Sequence, residues 1–169
     1  MRIPARAALT LALLLGVTSV VAAQAEWVTV APPDMGFTVS FPRTPEHRRT
    51  VYPSERGEWV STSWTVEDTR AESAFQVTVK DYSRYDTSGS SIDRVLDSSC
   101  LGIDPDARVS PLAGATLPAR RCLSDVGVGG TEMIVLWSAP RLYIVAQICG
   151  RAPCDQAARR RFLGSFRVR

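Results

Sequence analysis

From Phe37 onward, one stretch after another changes side-chain character at every second residue, which commits most of this chain to strands. Phe37, Val39 and Phe41 share one face while Thr38 and Ser40 take the other, the two-residue period of a half-buried strand. Pro42 and Pro45 close that segment, because neither has an N–H to give to a ladder. A short strand is expected around Arg49–Tyr52, ending at Pro53. Glu58–Val66 then alternates Trp59, Ser61, Ser63 and Thr65 with Val60, Thr62, Trp64 and Val66, so its two tryptophans face opposite ways. Ala74–Tyr82 puts Phe75, Val77 and Val79 on one side, and the short charged connector Glu67–Ser73 suits a hairpin.

A second strand-rich block covers Ala107–Pro111, Ala119–Asp125, Thr131–Ser138 and Leu142–Cys149. Gly127-Val128-Gly129-Gly130 and Ala139-Pro140-Arg141 join neighbours within it, which predicts a meander. Met133 to Trp137 is apolar on both faces, as a central strand covered on both sides must be.

Between and after these blocks the period changes. Ser90 offers an N-cap hydroxyl with Asp93 three residues on, and Ile92, Val95, Leu96 and Cys100 fall at helical spacing. That spacing predicts a helix with Cys100 on its buried stripe and Gly102 at its end. Asp155 caps a second expected helix, with Ala158, Phe162 and Leu163 inward, Arg159 and Arg160 outward, and Gly164 as its stop. Strands, a helix, more strands and a last helix predict an α+β domain, an antiparallel sheet with helices packed on its faces.

The first 25 residues read differently. Arg2 and Arg6 precede an apolar run from Ala7 to Ala23, which closes on Ala23-Gln24-Ala25. That is the pattern of a secretory signal peptide over 1–25, cleaved between Ala25 and Glu26, and it predicts a periplasmic or secreted protein. Residues 26–169 then form one domain, long enough to hold a core without staples. The net charge of +3 includes Arg2 and Arg6, so the remainder is too balanced to argue for nucleic acid. No later segment approaches transmembrane length.

Cysteines follow from the compartment. Cys100, Cys122, Cys149 and Cys154 make an even set in an exported chain, which favours two disulfides. Cys149 and Cys154 straddle a short turn holding Gly150 and Pro153, which leaves Cys100 for Cys122. Chain entropy assigns about 2 kcal/mol to the small loop and about 3 kcal/mol to the larger. The rival readings are a four-cysteine zinc site and a redox pair. Zinc ribbons use two close knuckles and oxidoreductases a C-x-x-C at a helix start, and neither spacing is present.

Three short motifs resemble PsbP-like proteins: Gly36-Phe37-Thr38-Val39-Ser40-Phe41-Pro42-x-x-Pro45, Arg141-Leu142-Tyr143, and Arg161-Phe162-Leu163-Gly164-Ser165-Phe166. Their order and spacing match over nearly the whole of 26–169. The resemblance implies an α/β/α sandwich around a central antiparallel sheet, and a protein that acts by docking on other proteins.

Candidate catalytic groups are few. His47 is the only histidine and lies beside a proline-closed strand end, with no G-x-S-x-G elbow to serve it. Lys80, the only lysine against nineteen arginines, alternates outward from Val77 and Val79 and has no S-x-x-K before it. Asp104 and Asp106, and Glu67 and Asp68, read as turn and hairpin residues. Gly127, Gly129 and Gly130 make a turn and lack the Gly-Lys-Ser/Thr of a phosphate cradle. Arg159-Arg160-Arg161 reads as a solvated helix face or a docking patch for an acidic partner. These features predict a non-enzymatic, exported accessory protein that binds a protein or envelope component, with no cofactor or metal. The alternatives are an envelope hydrolase with loop-borne acids and a small-ligand carrier.

Overall fold

The computed structural model describes residues 26–69, 72–125, 130–150 and 153–169. The expected leader over 1–25, Ala25 included, and Gly127 and Gly129 of the expected glycine turn lie outside them. The described residues form ten strands and two helices. In chain order these are β1 (Val28–Val30), β2 (Phe37–Phe41), β3 (Glu46–Ser54), β4 (Gly57–Asp68), β5 (Ser73–Tyr85) and α1 (Ile92–Leu101). There follow β6 (Arg108–Pro111), β7 (Ala119–Ser124), β8 (Thr131–Ser138), β9 (Arg141–Cys149), α2 (Gln156–Ser165) and β10 (Arg167–Val168).

Seven strands make one antiparallel sheet in the order β3-β4-β5-β9-β8-β7-β6, and a smaller sheet has the order β1-β2-β10. The meander expected over the second strand block is present, β6 to β9 pairing in succession. It joins the first half through β5 and β9, where Ser73 lies opposite Cys149 and Asp81 opposite Arg141. Register follows the alternation: Thr62 opposes Val79, Trp64 opposes Val77 and Val66 opposes Phe75.

The expected α/β/α sandwich is not what the chain builds; the fold is mostly β. Each helix has ten residues, about 15 Å of length at 1.5 Å per residue, against a seven-stranded sheet about 29 Å wide. Two helices of that size cannot cover its faces. On one face most of the cover is the small sheet, whose Phe37, Val39 and Phe41 are fully buried. The ring of Phe37 meets Trp64 edge-on at 5.0 Å and stacks on Phe166 at 5.7 Å. Phe162 of α2 fills the same layer, 5.2 Å from both Phe41 and Phe75. Among the described residues the opposite face carries α1 alone, packed on β7 and β8. β3, by contrast, is exposed along its whole length.

Smaller differences have local causes. The N-cap of α1 is Ser91, not Ser90, its hydroxyl accepting from the amide of Arg94 at 3.5 Å. α2 runs one residue past Gly164 and is capped by Phe166. Gly57 turns the chain between β3 and β4 with φ +110, a conformation open to glycine and strained for other residues.

Phe162→Ala removes the ring that joins α2, the small sheet and the large sheet. Chemical denaturation is expected to show a loss of about 3–5 kcal/mol.

Candidate functional site

A helix held to one side of a sheet leaves a trough beside it, and here the holding groups can be named. Leu96 and Cys100 of α1 are fully buried. Arg120 on β7 donates to Asp97 at 2.7 Å and to Asp93 at 2.6 Å, so two carboxylates one helical turn apart are drawn toward the β7 edge. Cys100 lies against Cys122 with their Cα atoms 5.7 Å apart, and Cys149 against Cys154 at 5.6 Å, both within the span of a disulfide. The strand face that Cys122 shares with Arg120 is the face that α1 covers.

Because α1 sits over β7 and β8, the same face of β4 and β5 stays open. The trough between them is a groove of about 520 Å³. Its floor is Gln76, Thr78 and Lys80 of β5 with Ile144 of β9, and its opposite wall is Ile92, Val95, Ser98 and Ser99 of α1 with Ile103 beyond the helix. Tyr82, Tyr85 and Trp137 close one end. These rings belong to a chain of aromatic contacts across the sheet. Tyr52 stacks on Trp59 at 4.1 Å, Trp59 leans on Tyr82 at 5.8 Å, and Tyr82 meets Tyr85 at 5.6 Å and Trp137 at 6.0 Å. Burial pushes the phenol of Tyr82 up from its usual range, and neighbouring Tyr85 adds to the rise.

Among the described residues Lys80 is the one charged side chain lining the groove. Its ammonium lies 5.4 Å from the centre of the Trp59 ring, a cation–π contact. Among the described residues it has neither a hydrogen-bond nor an ion-pair partner. Desolvation lowers its pKa, because burial disfavours the charged form.

The other sequence candidates are scattered. His47 stands exposed on β3 against the Trp64 ring at 5.1 Å, with no hydrogen bond to a serine or carboxylate among the described residues. Asp104 is buried and takes hydrogen bonds from Ser124 and from the amide of Asp106, a turn-building role. Glu67 and Asp68 end β4. Among the described residues no three His, Cys, Asp or Glu side chains gather as a metal site would require, and no helix is long and apolar enough to cross a membrane.

The arginine run does not form one solvated face. Arg160 is exposed, and Arg161 lies 4.6 Å over the Trp27 ring. Arg159, expected outward, is buried, donating to Gln147 at 2.9 Å and lying 3.6 Å from the sulfur of Cys149. Helical spacing explains it: positions 159, 162 and 163 share a stripe, so the helix that buries Phe162 and Leu163 carries Arg159 inward. The small-ligand-carrier alternative implies a pocket between sheet and helix, but the residues that line it do not show in the sequence, for a related reason. Lys80 does alternate away from Val77 and Val79, but the face it joins is only half open, and α1 converts it into a wall. The sequence signal was the row Gln76, Thr78, Lys80, Tyr82, which matches Trp59, Ser61, Ser63 and Thr65 across the hairpin.

No family model matches the chain, and neither a curated protein nor a solved structure matches it.

Two measurements check this description. Alkylation of the denatured, unreduced protein is expected to find no reactive thiol, and two or more would rule out the bridges. The second concerns Lys80, whose pKa is lower folded than unfolded, so the unfolded state binds more protons between the lowered value and the ordinary 10.5. Stability therefore rises with pH through that window. Lys80→Met removes this rise, so the variant is expected to be the more stable one at pH 7, with the difference shrinking as pH climbs.

Proposed function

We propose that this chain is a non-enzymatic binding protein, working in the periplasm or secreted, that meets its target in the groove beside α1. The groove itself carries this reading. A half-open hollow of about 520 Å³, lined in about equal part by aromatic and aliphatic side chains and by polar ones such as Gln76, Thr78, Lys80 and Ser99, is of the size that small-ligand sites take. The two cysteine pairs at bridging distance suit an oxidising compartment, and the leader pattern of residues 1–25 supplies the route there. The three motifs that resemble PsbP-like proteins support a binding role, since that resemblance implies action by docking. The groove favours an envelope component small enough to enter it.

Native mass spectrometry of the exported protein tests the reading. A bound small molecule of one mass is expected on the wild type and absent from Ser98→Trp, which fills the groove from α1. Ser98 is exposed and its hydroxyl bonds only to the carbonyl of Val95 at 3.1 Å, so the variant is expected to keep the wild-type circular dichroism. Wild-type protein free of any bound molecule, together with a groove that no small probe of any charge enters, would overturn the proposal.

A further inference from the structure

Among the described residues the groove holds one charge, and that charge is unanswered. Lys80 lies on its floor with no acceptor among the described residues, and no carboxylate lines the walls. The nearest acid in sequence, Asp81, points to the other face of β5 and is taken by Arg141 at 3.0 Å. Half-buried ammonium groups are ordinarily paired, because water lost on burial must be replaced by an acceptor. Here the replacement is only the Trp59 ring, which interacts with the cation but accepts no full hydrogen bond.

The remaining lining sets what else can enter. Tyr82, Tyr85 and Trp137 at one end favour a flat body, since rings gain from offset or edge-on contact beyond their buried area. Ile92, Val95 and Ile144 line the groove with aliphatic surface. Phosphate recognition ordinarily draws on arginines or a nest of amides. No arginine among the described residues lines the groove. One ammonium matches one negative charge.

We propose that the groove takes a small organic monocarboxylate with an apolar ring body, its carboxylate on the ammonium of Lys80 and its ring among Tyr82, Tyr85 and Trp137. The hydroxyl of Thr78, two residues along the same face of β5, is the neighbouring donor for the second carboxylate oxygen. This inference rests on the groove being the binding site and adds the class of ligand. Binding restores to Lys80 the acceptor it lacks, so the anion and the protonated amine favour each other.

The probes are 2-naphthoate and its neutral counterpart 2-naphthamide, titrated calorimetrically at pH 7 into the chain with its cysteine pairs intact. The acid is expected to bind about tenfold more tightly than the amide, the range a charge-assisted hydrogen bond supplies. Lys80→Met is expected to bring the acid down to the level of the amide and leave the amide unchanged, while Lys80→Arg retains most of the preference. Because Lys80 is the only lysine, acetylation offers a second readout. Naphthoate is expected to slow modification of Lys80 while the chain's α-amino group reacts at an unchanged rate. Equal binding of acid and amide, with both blocked by Ser98→Trp, would overturn the anion preference and leave the groove as a binding site. Binding of the acid that survives Lys80→Met would place the anion elsewhere and also overturn the inference. Failure of both probes to bind below about 1 mM would overturn the inference for this ring class. The groove reading falls only if the exported protein is also free of any bound molecule.

Discussion

The pairing of β5 with β9 is the constraint on which the rest of the molecule depends. These strands are separated by α1, the hairpin of β6 and β7, and β8, yet they lie side by side over nine residue pairs. Their pairing turns two local meanders into one seven-stranded sheet. It also fixes both cores at once, because alternate residues of the two strands face opposite ways. Val77, Val79, Tyr143 and Val145 feed the core under the small sheet, while Leu142, Ile144 and Ala146 feed the core under α1. A slip of one residue would exchange these sets and expose both. Such long-range pairing is costly in loop closure and sets a slow step for folding.

Much of this was legible in the chain. Alternation located β2, β4, β5 and all four strands of the second block, and helical spacing located both helices. What escaped was short or depended on distant partners. β1 has three residues and β10 two, too few for a period to show, yet with β2 they cover the face that was assigned to helices. The extent of β3 escaped because it is an edge strand with no buried face to impose a pattern. Arg159 reads as outward from its charge, yet its place on the stripe of Phe162 and Leu163 turns it inward.

The site was less legible than the fold for a physical reason. A groove is made by what a helix fails to cover, and no residue in the sequence records that failure. The placement of α1 comes from Arg120 reaching Asp93 and Asp97 and from the Cys100–Cys122 contact. These are tertiary pairings across more than twenty residues of chain. Only after they are made does the polar row of β5 become a floor, and Lys80 a half-buried charge in place of a solvated one.

The exposed edge of the large sheet has a consequence for how the protein behaves in a crowded compartment. β3 offers a free row of backbone groups, and such an edge invites another strand to add to it. Its sequence resists this: Glu46, Arg48 and Arg49 bring charge, and Pro53 withholds an amide near its end. The far edge, β6, is four residues long and ends in Pro111. Among the described residues the large sheet thus has two open seams, each guarded by composition and not by a covering element. Replacing the charges of β3 with β-branched apolar residues would favour sheet-to-sheet growth between chains, a route to aggregates that leaves the core and the groove untouched.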